Sequence, residues 1–474
     1  MLPPKIPSRR HLSIQMNQEL KAMLQPIHIR AFHFLQRSLG SGLSYNSHIE
    51  RDVVHPITDM EAFINLLKCA FGTGCLAMPK AFYNAGWLLG LISTILLGSF
   101  VVYAMHVLLN DINTLCKRYK FSALSYSETM ELATLHGPDW LQPFSKWLAC
   151  QVDFFLCVYH FGVDCVYVVF IAKCMKELGD IYLRPIDIRL YMALLTLPLM
   201  LTFFIRDLKY LVPFSIISNI FMLISLSVIL RYIFGNLPSL AERQAFQVWT
   251  HYPLFFGTVL FAVEAVGVIL SLQLNMLNPD HYLGTFGILN RAMFIVIAFY
   301  AAFGFFGYWQ YGDKTASSIL NNLPINEVLP QCVLAMLALA IFFSYALQGY
   351  VTIEIIWRNY MLPRLMDNAT RSLEYLVRMA MVIASVLCAI AYPDFGLLLS
   401  LVGSFCLAQV GLIYPGIVNL SVCYDQGYGP FKLLLWRSLL FIAVGLCGGI
   451  AGTVVSLTAI HEQLSNNNNN RLLF

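Results

Sequence analysis

Residues 65 to 86 read Asn-Leu-Leu-Lys-Cys-Ala-Phe-Gly-Thr-Gly-Cys-Leu-Ala-Met-Pro-Lys-Ala-Phe-Tyr-Asn-Ala-Gly. They make a membrane-length apolar stretch interrupted in its middle by Gly72, Thr73 and Gly74. In lipid every backbone N–H and C=O needs a partner, so unwound backbone at mid-bilayer survives only where protein or a water-filled cavity surrounds it. A broken span of this kind predicts a binding site, and secondary transporters hold substrate at such breaks.

Composition supports a membrane class. Hydrophobic residues make up 58% of the 474, charged residues only 12%, and the mean hydropathy is +0.67, well outside the soluble range. The length leaves room for about eleven spans of roughly 20 residues. They are expected at 60–83, 87–109, 147–176, 188–205, 211–234, 252–273, 288–309, 329–356, 373–392, 395–420 and 433–460. Thr58 followed by Glu61 is a capping-box signature ahead of the first.

A second interruption, Glu264-Ala265-Val266-Gly267, sits in the middle of the sixth span. Paired breaks at corresponding positions of two halves point to an inverted-repeat transporter. Spans 1 to 5 and 6 to 10 are then the repeats and span 11 an addition. The expected fold is an all-α integral membrane protein of about 11 transmembrane helices, with helices 1 and 6 broken.

Residues 1–57 form a basic tail carrying Lys5, Arg9, Arg10, Lys21, Arg30, Arg37 and Arg51. With this tail cytosolic, Lys and Arg concentrate on the cytoplasmic side, in keeping with the positive-inside rule. The transporter domain spans 58–460, and 461–474 is a short tail on the outer or lumenal side. The sequons at Asn368 and Asn419 fall on the cytoplasmic side and are expected to be unglycosylated. The cysteines lie mostly inside apolar runs without C-x-x-C spacing, which implies neither zinc nor a disulfide framework. A bridge between Cys174 and Cys332 is the one pairing left open. The modest net charge of +4 is no nucleic-acid footprint, and an enzyme is the least expected class: no P-loop or nucleophile elbow appears.

Several stretches carry a resemblance when taken as a set. They are Leu66-Leu67-Lys68 with Gly72-Thr73-Gly74, Pro79 and Asn84-Ala85-Gly86; Tyr252 to Thr258; Phe342-Phe343 with Tyr345-Ala346-Leu347-Gln348 and Tyr350-Val351; and Ser400-Leu401-Val402-Gly403-Ser404. The chain resembles the proton-coupled amino acid transporters of animals, within the amino acid/auxin permease superfamily. The resemblance implies a LeuT-like 5+5 inverted-repeat fold that moves small neutral amino acids, often with a proton, in the plasma membrane or a lysosomal or endosomal membrane. Departures are equally specific. Many members carry a His seven residues before the first Gly of the break; here that position is Asn65, which cannot titrate. The family's Pro-Leu-Glu motif is Ser271-Leu272-Gln273. The family's proton site is therefore not carried over.

The residues themselves suggest a substrate site. A zwitterion's carboxylate would meet the N–H groups of Gly72, Thr73 and Gly74 and the positive end of the half-helix starting near Cys75. Its ammonium would face the free carbonyls around Phe261, Ala262 and Val263, with Glu264 either binding a proton or anchoring loose N–H groups. Span three carries Asp153, Cys157, His160 and Asp164 on one stripe, which should face the bundle interior. His160 and Asp164, one turn apart, are expected to be able to hydrogen-bond. Asp153, His160, Asp164 and Glu264 are the candidates for proton coupling. No cofactor is expected beyond a proton, and the partners are small neutral amino acids and the bilayer. Other readings are an amino-acid sensor signalling through its basic tail, and an uncoupled uniporter or exchanger.

Overall fold

The computed structural model describes residues 56–182, 185–205, 212–235, 237–263, 266–362, 371–425 and 427–472. Most of the basic tail, Glu264, Ala265 and the Asn368 sequon lie outside them.

The first span is two helices, α1 (Asp59–Ala70) and α2 (Thr73–Ala85), bent by 52° at the break. Thr58 starts α1 through the expected capping box: its N–H donates to Glu61 Oε2 at 2.8 Å, and the Glu61 N–H donates back to Thr58 Oγ1 at 3.3 Å. The spans continue as α3 (Trp87–Tyr119), α5 (Ser145–Tyr182), α6 (Ile188–Phe203) and α7 (Val212–Ile233). Between α3 and α5 lies the short α4 (Tyr126–Leu135). The sixth span is described on either side of residues 264 and 265, as α8 (Tyr252–Val263) and α9 (Val266–Asn275). Then come α10 (Ile288–Tyr311), α11 (Val328–Glu354), α12 (Arg371–Ala391), the tenth span from α13 (Phe395–Val402) to α14 (Tyr414–Val422), and α15 (Leu433–Leu472).

Among the described residues eight helices are long and apolar enough to cross a membrane, and the bent pair α1–α2 makes a ninth. The other two expected spans coincide with α8 and α9 together and with α6, whose 16 residues fall short of the roughly 20 needed to cross without thinning the bilayer.

Packing divides the described spans into two groups. The halves of the first span pack with α3, with α8 and α9 of the sixth, and with α10, while α5 and α6 pack with α11 and α12. Each group thus takes two spans from each half of the chain, as an inverted repeat requires. The start of the first span also meets the end of the sixth: Ile57 N–H donates to Asn275 C=O and Leu277 N–H to Ile57 C=O, both at 2.9 Å. The two segments form a parallel bridge there, so the first span starts beside the end of the sixth.

Small residues set the closeness of these contacts. A Cβ on Gly403 would fall 1.9 Å from the Gly257 carbonyl oxygen, and one on Gly257 would fall 2.2 Å from that of Ser400. At these positions α8 and the tenth span touch backbone to backbone. The tenth span widens into π turns at Gly403–Leu407 and Gln409–Ile413. Such turns mark insertions that carry a cost and recur at functional sites.

Three further points concern the sequence reading. Cys174 and Cys332 are both free, the first buried and the second exposed, so no bridge joins them. The last helix continues past residue 460 to Leu472, because no Gly or Pro follows to stop it. His160 and Asp164 do not pair, as the site geometry shows. Asn419 of the second sequon is buried at 1% exposure and bonded to Asp111, Arg437 and Ser438, which closes it to glycosylation.

Candidate functional site

A helix start leaves four N–H groups without intrahelical partners, and at α2 two of the four are accounted for. Gly72 N–H turns back to Ala70 C=O at 2.8 Å and Cys75 N–H reaches Gly72 C=O at 3.3 Å. Among the described residues, the N–H groups of Thr73 and Gly74 have no partner outside their helix. Beside them the Thr73 hydroxyl, 1% exposed, is also unpartnered. An unsatisfied buried hydroxyl is costly, and here it stands at the positive end of the α2 dipole.

The end of α1 is held from span seven. The Tyr300 hydroxyl donates to Ala70 C=O, and Phe71 packs edge-on against Phe299 with centroids 5.0 Å apart. Gly72 has open space beside it: an added Cβ would meet nothing within 4 Å. Gly74 faces the opposite circumstance, since its Cβ would fall 2.7 Å from Ala262 Cα. That contact places the start of α2 against the end of α8. Phe261, Ala262 and Val263 are all buried there. Cys75, buried, gives its thiol to Gly72 C=O at 3.1 Å.

The span-three stripe is buried, but its members have different neighbours. His160 Nδ1 meets Gln348 Oε1 of α11 at 2.9 Å. With the amide oxygen as acceptor, Nδ1 carries the proton and Nε2 of the neutral ring holds a lone pair. Nε2 has no partner and points toward Gly267 at the start of α9, 3.7 Å from a Cβ built there. Asp164 faces Gly349, a Cβ on which would lie 2.8 Å from its Oδ2. Both Asp164 oxygens are unpartnered and the residue is 0% exposed. Asp153 is set apart: Tyr360 donates to its Oδ2 at 3.0 Å, two turns from His160 toward the start of α5.

Sequence reasoning brought Gly72, Thr73, Gly74 and Cys75 to the same place as Phe261, Ala262 and Val263. It missed Tyr300 and Gln348. Gln348 lies in one of the stretches that carry the family resemblance, but nothing in its spacing foretold a contact with His160. Phe255 and Phe256 are buried, Phe255 against Phe82 at 6.4 Å between centroids. Lys68 sits half-buried in the last turn of α1. Among the described residues no group of three or more His, Cys, Asp or Glu could hold a metal ion.

Comparison with known proteins agrees with this architecture. Residues 55–458 match the family described as transmembrane amino acid transporter protein. The chain is 33% identical over 430 residues to a Drosophila melanogaster protein named proton-coupled amino acid transporter-like protein pathetic, covering 90% of this chain and 91% of that one. It is 25% identical over 430 residues to the probable amino acid transporter skat-1 of Caenorhabditis elegans, covering 86% and 91%.

Proposed function

The chain belongs to the family of transmembrane amino acid transporter proteins, and from that premise we propose that it carries small neutral amino acids across its membrane by alternating access around the paired helix breaks. The observation that supports this reading most is the unpartnered Thr73 hydroxyl, 1% exposed, beside the N–H groups of Thr73 and Gly74. A zwitterion satisfies these groups together. Its carboxylate accepts from the two N–H groups and the hydroxyl, at the helix end that favours negative charge. Its ammonium donates to the closing carbonyls of α8 and to the His160 Nε2 lone pair.

The packing supports alternating access. The breaks lie in one group of four spans, and His160 and Gln348 lie in the other. Motion of one group against the other opens the site to either side without unfolding a helix. In a multi-pass membrane protein with the amino terminus cytosolic, the plasma membrane and the endolysosomal membrane are the two settings this reading allows. The Drosophila relative's name includes proton coupling, and His160 and Asp164 stand nearer the break than Asp153 as candidate proton sites, with Glu264 a candidate from the sequence alone.

Uptake of radiolabelled alanine into proteoliposomes tests the reading, with and without an imposed pH gradient. Thr73→Val keeps the shape and removes the hydroxyl. Loss of one hydrogen bond to a charged group, worth about 1.5 kcal/mol, raises KM roughly tenfold with little change in kcat. Uptake by the parent no faster than into empty liposomes would sink the proposal.

A further inference from the structure

Asp164 stands out among the buried polar groups because neither of its oxygens has a partner. None of the ion pairs among the described residues includes it. It lies at 0% exposure against the bare Cα of Gly349 on α11. The ring of Phe203, at the end of α6, covers the same spot: a Cβ on Gly349 would fall 2.2 Å from Phe203 Cζ. An ionised carboxylate without counter-ion or donors costs several kcal/mol in such a place, and a neutral carboxyl far less.

We infer that the Asp164 carboxyl binds the transported proton, which places the coupling site at the α5–α11 seam and not in the first span. This rests on the transport reading above and deepens it. In the closed arrangement the carboxyl is protonated. When the α5–α11 seam loosens around the ring of Phe203 and water enters, the carboxyl gives its proton to water on that side. On the other side the carboxylate takes one from hydronium, with no bond but O–H made or broken.

The neighbours fit this assignment. The titratable groups nearest Asp164 are Cys165 and Tyr167 on its own helix and Tyr345 on α11. On α12, Cys388 faces Cys165. None of these is a cation. Arg378 of α12 is the nearby permanent charge, and it is engaged elsewhere: its Nη2 donates to Glu374 Oε1 at 2.9 Å and its Nη1 to Phe203 C=O at 3.4 Å. His160, one turn away, gives Nδ1 to Gln348 and turns Nε2 toward Gly267 of α9, away from Asp164. A metal cation fits poorly, because hard cations take several oxygen ligands and this carboxylate is flanked by a glycine and a phenyl ring.

The test is alanine transport by D164N and the parent in proteoliposomes. Under a gradient of one pH unit, acid outside, the parent is expected to concentrate alanine up to about tenfold for one proton per substrate. D164N is expected to exchange alanine in counterflow yet reach an accumulation ratio of one, with a flat pH profile. Gradient-driven accumulation retained by D164N overturns the inference while leaving transport standing. Accumulation driven by sodium and indifferent to pH does the same. Absence of alanine counterflow in the parent removes the transport reading and this inference with it. Should D164N not survive purification, the infrared carbonyl band of a protonated carboxyl is read in the parent and in D164E. A band that moves with the substitution supports the assignment, and no band, or one that stays put, overturns it.

Discussion

At the scale of single residues, two glycines of the same break serve opposite purposes. Gly74 gives closeness: Ala262 Cα lies 2.7 Å from where its Cβ would be, and backbone cannot yield as a side chain can. Gly74→Val therefore pushes α2 off α8 at a cost of about 3 kcal/mol or more. The expected outcome is a lower melting temperature in detergent together with loss of alanine uptake. Gly72→Ala meets open space and costs only its cap preference, roughly 1 kcal/mol or less, so its melting temperature stays near the parent's. Equal destabilisation by the two would refute this reading of the break. The glycines were legible in the sequence because interrupted helix in lipid is a local requirement. The company kept by His160 and Asp164 was not. Their spacing put both on one face of one helix, yet the residues that decide their chemistry, Gln348 and Gly349, stand on another, with Gln348 188 positions from His160. That distance is also why an intrahelical His160–Asp164 bond looked reasonable and does not form.

At the scale of elements, apolar run length located the spans, because burying a main chain in lipid demands it. Shorter pieces were less visible. Helix α4 went unread although Ser125 and Glu128 announce it with a capping box: Ser125 N–H donates to Glu128 Oε2 at 2.8 Å and Glu128 N–H to Ser125 Oγ at 3.3 Å. Its ten residues are too few for periodicity to rise above the neighbouring spans. The π turns of the tenth span, the first of which begins at Gly403 against Gly257 of α8, were likewise not visible in the sequence. Helix α4 carries a testable charge outside the membrane spans. Burial pushes the Glu131 carboxyl upward, with Lys146 opposing and Glu128 reinforcing. A raised carboxyl binds protons more tightly folded than unfolded. Its ionisation therefore destabilises the fold once the pH exceeds the raised value, and the penalty is gone below the ordinary carboxylate range. Glu131→Gln is expected to raise the melting temperature at pH 7.5 and to match the parent at pH 4, as thermal scans at both values will show. A gain that persists unchanged at low pH would mean that packing, not charge, is responsible.

At the scale of the whole molecule, the pseudo-symmetry was legible from the two breaks, but the grouping of spans was not, since no residue pattern says which faces meet. The structure supplies it: two spans from each half in each group, and the start of the first bridged to the end of the sixth through Ile57 and Met276. The number of crossings then fixes how the ends are disposed. If both broken pairs and the short α6 cross once each, the chain crosses eleven times and its ends lie on opposite faces. If α6 lies along the surface, the count is even and the ends share a face. The charge distribution favours crossing, because turning spans five onward upside down would move the basic cluster Arg358, Arg364, Arg371 and Arg378 to the outer side, against the positive-inside rule. Epitope tags at the two termini, probed in sealed and permeabilised cells, decide it. The expected outcome is an amino-terminal tag reached only after permeabilisation of every membrane that encloses the cytosol, with the carboxyl-terminal tag on the opposite face. Tags on the same face would take α6 out of the membrane and break the pairing of spans 1 to 5 with 6 to 10 on which the site's symmetry depends.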